Sequence, residues 1–345
     1  VNTLVDDCTN IHHASDLAKA TRSILIDPNP LNLESNKVFI IAEAACNHMC
    51  SLELAKAMID CAAEAGADAI KFQTYKGERI VTKYAPAFWG TETMKQTEYY
   101  KKLDRFDKED YAFLFDYAKQ KQILPFSTPF GIEDADMLND LGMEIFKIPS
   151  FEIVNLDLLE HIAGFGKPMI LSTGAATYEE INRAIDIILS KGNPHLALNA
   201  CTLSYHTEDK DANLSRIQTL KKMYPNFLIG MSDHTLPDEN MAIPAISVAL
   251  GARMIEKHYT MSRTLTGSGH YFSLEPNDIR KMVHNIRLFE IVLGDGEMGT
   301  TEIEERAKMG GRKSIVAKRD IKTNEILTKN MLTFKRSETG FHPAN

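Results

Sequence analysis

The sequence predicts an α/β protein: a closed (β/α)8 barrel followed by a short β-rich appendage. Three observations carry this reading. Short apolar, β-rich runs alternate with longer amphipathic segments from Val38 onward, eight such runs can be counted, and polar side chains stand at the C-terminal end of every one. Continuous apolar runs imply strands covered on both faces, and strand–helix repeats imply parallel pairing through right-handed crossovers. A doubly wound open sheet is the alternative, but eight units are many for it, and no G-x-G-x-x-G follows the first strand.

The runs are Val38–Ala42, Ala69–Thr74, Leu124–Pro129, Ile145–Ser150, Met169–Thr173, Leu196–Cys201, Leu228–Asp233 and Met254–Tyr259. Between them Ser51–Ala65 and Thr177–Leu189 carry apolar residues at helical spacing. Thr177 and Glu180 form a capping-box pattern, and Gly66, Gly142, Gly192 and Gly251 stand where helices end. The long insertion Lys76–Asp107, aromatic-rich and containing the single Trp89, reads as a βα loop able to cap a site. Residues 1–37 read as an N-terminal arm, 38–296 as the barrel, charged 297–310 as a linker, and 311–345 as a small β appendage with a turn at Asn324-Glu325.

At 345 residues the chain is long enough to bury a large core, and 44% hydrophobic with 25% charged residues is ordinary globular composition. The net charge of −8 offers no broad attraction to nucleic acid or an anionic membrane, so an anionic substrate needs a local cationic pocket. Five cysteines are too few and too odd in number for a disulfide scaffold, which points to a reducing, cytoplasmic setting. Cys46 and Cys50 lack the second soft-ligand pair of a structural zinc site. No run is long enough to span a membrane, and Asp6-Asp7 does not suit a signal peptide.

Barrel active sites form at the C-terminal strand ends. Those ends offer Glu43 and Asn47-His48, Lys71 and Gln73, Ser127-Thr128, Lys147 with Ser150 and Glu152, Ser172-Thr173, Cys201-Thr202 with Tyr205, Ser232-Asp233-His234, and Glu256-Lys257-His258. Lys71 and Lys147 sit inside apolar runs, where a bare ammonium is costly, so each needs an anionic partner. Three readings stay open: a shared site for phosphate and carboxylate, structural ion pairs with Glu43 or Glu152, or a Schiff-base lysine. His234 and His258 close adjacent strands and are candidates for one divalent ion, against ordinary hydrogen-bonded packing. His48, His206 and His270 have weaker claims.

These residues fall in motifs that resemble a known family. Ala-Glu43-Ala-Ala-Cys-Asn47-His48, Ala-Asp-Ala-Ile-Lys71-Phe-Gln73-Thr, Ser-Thr128-Pro-Phe, Phe-Lys147-Ile-Pro-Ser150-Phe-Glu152, Leu-Ser172-Thr-Gly, Met-Ser232-Asp-His234-Thr and Glu-Lys-His258-Tyr-Thr follow the order found in sialic acid synthases. The resemblance covers about residues 36–345, and Gly311-Arg-Lys-Ser-Ile-Val-Ala through Arg336 resembles the first part of that family's antifreeze-like domain. It implies condensation of phosphoenolpyruvate with the open-chain aldehyde of an N-acylated mannosamine-type sugar, giving a nonulosonic acid and phosphate. It also implies a divalent ion on His234 and His258, Mn2+ foremost, with Mg2+ or Co2+ as alternatives. Phosphoenolpyruvate would lie on Lys71, Thr128, Lys147, Ser150, Ser172 and Ser232, with Glu43 or Glu152 moving protons. Gln73, Tyr205 and Glu152 would face the sugar, and Arg336 would reach into a partner's site in a domain-swapped homodimer.

The departures cluster on the sugar side. Leu203 stands where the family usually has an amide and Gly269 where it has a carboxylate, while Ala45 and Cys50 replace usual glycines. An atypical acceptor sugar is therefore expected. Two rivals remain. One is a phosphoenolpyruvate–sugar phosphate condensing enzyme, with Lys76, Arg79 and Lys83 as a cationic rim; the other is a catalytically weakened sugar-binding homologue.

Overall fold

The structure is a computed structural model that describes residues 37–87, 95–294, 296–337 and 340–344. Apart from Lys37, the expected N-terminal arm lies outside them, as does Trp89. The chain separates into two compact units, one ending at Leu293 and the other beginning at Gly294.

In the first unit, eight strands close into a barrel in sequence order: β1 (Phe39–Ala45), β2 (Ala69–Thr74), β3 (Leu124–Pro129), β4 (Phe146–Ile148), β5 (Met169–Ser172), β6 (Leu196–Cys201), β7 (Leu228–Asp233) and β8 (Met254–His258). Every pairing is parallel, and β8 returns to β1. Every residue of β1 and of β4 to β8 is buried, because helices cover the outside and side chains fill the interior. β4 is shorter than expected. Pro149 has no N–H to continue the ladder, and Ser150–Glu152 turn into a short 3-10 segment instead.

Helix ends follow their local chemistry. Ser51 caps Leu52–Ala65 by accepting from Leu54 N, and Gly66 at φ 88° ends it. Thr177 and Glu180 form a reciprocal capping box on Tyr178–Ser190. At the barrel mouth the register shifts between Glu43 and Ala45. The turn beyond takes Ala45, Met49 and Cys50 into the left-handed region, at φ 48°, 52° and 55°. Asn47 Nδ2 ties this turn to the segment after β8 by donating to Tyr259 O (2.9 Å) and Ser273 Oγ (3.1 Å).

The long insertion is no open flap where it is described. Its helices Gly77–Ile80 and Gln96–Leu103 bring Tyr99, Tyr100 and Leu103 against Cys46, Tyr75 and Phe130 as a second apolar cluster.

In the second unit, β9 (Lys313–Ala317) and β10 (Leu332–Arg336) pair antiparallel, and Asn324 turns the chain between them at φ 66°. The stretch expected as a linker holds a helix, Glu302–Gly311. Its charges conceal a start signal, the Thr301/Glu304 capping box. Among the described residues no helix is long and apolar enough to cross a membrane.

Candidate active site

Strand register sets the first contacts. Glu43 lies opposite Lys71 on one side and His258 on the other, and Ser232 lies opposite Glu256. Lys71 Nζ stands 2.9 Å from Glu43 Oε2 and donates to Thr128 Oγ1 at 3.0 Å. Lys147 Nζ reaches Glu256 Oε1 at 3.3 Å, and Lys71 lies 3.9 Å from Glu256 Oε2. Two ammonium groups and two carboxylates thus neutralise one another inside the barrel, all of them buried. Gln73 Nε2 donates to Glu43 Oε1 (3.1 Å).

Hydroxyls extend the cluster. Ser232 Oγ donates to Glu256 Oε1 (3.0 Å), receives a bond from Asn199 Nδ2 (3.0 Å) and lies 3.2 Å from Ser172 Oγ. Ser150 Oγ accepts from Gly174 N at 2.9 Å. A side chain at 174 would meet that hydroxyl at 2.7 Å, so glycine there keeps β5 and the β4 turn in contact.

The two carboxyls are driven apart. Burial pushes Glu43 up to about 7, against the pull of Lys71. Burial acts on Glu256 as well, but Lys147 and Lys71 outweigh it and hold that carboxyl below its ordinary range. Such a split gives Glu43 the character of a proton carrier and Glu256 that of a fixed charge. Lys147 is lowered, chiefly by burial.

The imidazoles of His234 and His258 lie above this cluster, ring centres 5.4 Å apart. His234 Nδ1 bonds to Thr202 O (2.9 Å), leaving its other nitrogen available, and His258 Nδ1 is buried without a hydrogen bond. Burial, then the charge of His234, depresses His258 well below the usual imidazole value. Burial also opposes charge on His234, but Cys201, with Sγ 3.8 Å away, more than offsets it. Tyr205 packs on His234 (4.4 Å) and edges His258 (5.9 Å).

The other candidates have contacts of their own. Glu152 accepts from Asn155 Nδ2 (2.7 Å), and the lysines take Glu43 and Glu256 as partners instead. His48 stacks on Phe106 (4.6 Å), accepts from Cys50 N and is pushed by burial to about 3. His270 bonds to Thr260 Oγ1 (2.8 Å), and Lys257 is buried on Asp233 (2.7 Å) as structural support. Lys76 is committed to the carbonyls of Asp104 and Phe106, and Arg79 to Asp134. Arg336 lies on β10 of the second unit, opposite Lys313.

Glu256 stood among the strand-end residues without a role of its own, and Asn199, inside β6, was passed over. The signal for Glu256 was its place two residues before His258, on the same inward face of one strand.

The NeuB family signature matches residues 58–298. The chain belongs to the NeuB family. It is 39% identical over 311 residues to N,N'-diacetyllegionaminic acid synthase of Campylobacter jejuni, covering 88% of this chain and 92% of that one. With human N-acetylneuraminate-9-phosphate synthase it shares 34% identity over 316 residues, 88% of this chain and 85% of the relative. Among solved structures, N-acetylneuraminic acid synthetase from Leptospira borgpetersenii, in complex with citrate, superposes with a TM-score of 0.72 at 40% identity. That alignment covers 79% of this chain and 91% of the other. This NeuB-family chain is accordingly an enzyme, a synthase that forms carbon–carbon bonds.

Proposed function

We propose that this chain condenses phosphoenolpyruvate with the open-chain aldehyde of a neutral N-acylated mannosamine-type sugar, releasing phosphate and giving a nonulosonic acid. One observation carries the reading: a buried double-lysine, double-carboxylate cluster lies next to two neighbouring imidazoles at the barrel mouth. Two buried ammonium groups with hydroxyls around them, beside a site for polarising a carbonyl, are what such a condensation needs. The relatives, named as synthases of N,N'-diacetyllegionaminic acid and of N-acetylneuraminate-9-phosphate, support the condensation itself.

Lys71 and Lys147, with the hydroxyls of Thr128, Ser150, Ser172 and Ser232, bind the phosphate and carboxylate of the donor. The enol carbon attacks the aldehyde carbon, water adds at the donor's second carbon, and the bond from that carbon to the phosphate oxygen breaks. Glu43, which burial pushes up to about 7, is suited to take the proton from the water and pass one to the new alkoxide. Gln73 and Tyr205 face the sugar, and Arg336 serves the sugar of a partner subunit in a domain-swapped dimer.

His234 and His258 fit a divalent ion. Nδ1 of His234 is held by a carbonyl, as for imidazoles that ligate through the other nitrogen, and His258 is a neutral imidazole with an orphaned nitrogen. Among the described residues no group of three metal-ligating side chains forms, so these two would hold it with water or substrate completing the shell. The ion, Mn2+ foremost, would supply Lewis-acid polarisation of the aldehyde oxygen. The commitment of Lys76 and Arg79 within the protein removes two cations from the rim that a phosphorylated acceptor would need.

The test is incubation with phosphoenolpyruvate, Mn2+ and a panel of free and 6-phosphorylated aldoses, reading inorganic phosphate and keto acid. Release with free N-acylated aminosugars is expected. Binding without phosphate release for every acceptor would sink the reading.

A further inference from the structure

Gly269 and Phe272 act as one unit beside His258. Gly269 has φ −77° and ψ 33°, a negative-φ conformation that other residues also adopt, so its backbone does not call for glycine. Space does: a Cβ at 269 would stand 2.7 and 2.8 Å from two carbons of the Phe272 ring. The ring admitted in this way is 4% exposed. It meets His258 edge-on at 4.9 Å between ring centres and lies 5.7 Å from Tyr205. Tyr271 fastens the same segment by donating its hydroxyl to Tyr205 O (2.6 Å). The wall beside the imidazole pair is therefore aromatic, where a residue larger than glycine at 269 would displace the ring.

We propose that Phe272 determines which acceptor this enzyme takes, by reading an apolar substituent carried close to the aldehyde carbon, such as the methyl of an N-acetyl group. The inference rests on the synthase reading above. An aromatic edge offers a favourable surface to a methyl group and no hydrogen-bond partner to a hydroxyl, which would give up its water on entering. An N-acetyl sugar is accordingly preferred over its N-glycolyl counterpart, which differs by one hydroxyl. Gly269 is the permissive half of the pair.

The experiment measures kcat/KM with N-acetyl- and N-glycolylmannosamine for wild type, Phe272→Ala, Gly269→Ala and the double variant. Wild type is expected to prefer the N-acetyl sugar by about tenfold, the size of discrimination a single group in an apolar pocket supports. Phe272→Ala brings the ratio toward one with the KM for phosphoenolpyruvate unchanged. Gly269→Ala displaces the ring and loses activity, and adding Phe272→Ala restores it to the level of that single variant. Should Phe272→Ala not fold, Phe272→Thr, which removes the ring and offers a hydroxyl partner, serves the same comparison. A ratio that Phe272 variants leave unmoved, or a Gly269→Ala enzyme equal to wild type, overturns the inference alone. A wild type that releases no phosphate with any acceptor removes the synthase reading and this inference with it.

Discussion

Lys147 on β4 and Glu256 on β8 lie on opposite sides of the barrel and 109 residues apart in sequence, yet join across its interior at 3.3 Å. Their side chains are 3% and 8% exposed, so neither charge can turn to water if the other is lost. Breaking a buried pair from one side costs about 3–5 kcal/mol. Glu256→Gln should lose about that much in chemical denaturation, and adding Lys147→Met should recover part of it. Strictly additive losses in this double-mutant cycle would show the pair is not coupled.

Removing either ammonium should act on the donor rather than the acceptor. Lys71→Met and Lys147→Met are expected to reduce kcat/KM for phosphoenolpyruvate by at least about a hundredfold, given the strength of charge-assisted bonds. Neither lysine forms an imine in this mechanism. Borohydride treatment with substrate present should leave no adduct by mass spectrometry, and a trapped adduct at Lys147 would favour the Schiff-base reading.

For the imidazole pair, EDTA should abolish phosphate release and added Mn2+ restore it. His234→Ala should stay inactive in Mn2+ and bind the ion more weakly in calorimetry. An active, chelator-insensitive His234→Ala enzyme would contradict the metal assignment.

Asp134 gives a pH signature outside the site. Burial raises its carboxyl from 3.8 to about 6, only partly countered by Arg79. The folded state then holds this proton more tightly than the unfolded one, so Asp134's contribution to stability declines as pH rises from about 4 to 6. Compared with Asp134→Asn, wild type should lose stability across that window. Parallel stability curves for the two proteins would contradict the assignment.

Exposed Gln122 occupies the left-handed region at φ 58° after the helix Lys108–Gln120. Glycine takes that conformation without the side-chain penalty but brings a more flexible unfolded chain. Gln122→Gly should raise stability by about 0.5–1 kcal/mol, measured by urea unfolding, since the strain relieved exceeds the entropy lost.

Local signals were legible in the chain wherever neighbours in sequence decide the outcome. Thr177 and Glu180 cap a helix as their spacing predicts, and Gly66 ends one. The apolar runs became strands because both of their faces had to be covered. Where the reading fell short, a competing local feature was present. Pro149 cut β4 short, and the Thr301/Glu304 box turned a charged stretch into a helix.

The sequence by itself determined the barrel and the strand ends on which Lys71, Lys147, His234 and His258 would stand, because periodicity and capping act over a few residues. Only the tertiary structure decided which acid meets which lysine. Closure of β8 onto β1 brings Glu256, not Glu152, to Lys147 and within 3.9 Å of Lys71, and no spacing in the chain records that choice. It also decided what Gly269 is for. A missing side chain has meaning only once the Phe272 ring is seen in its place.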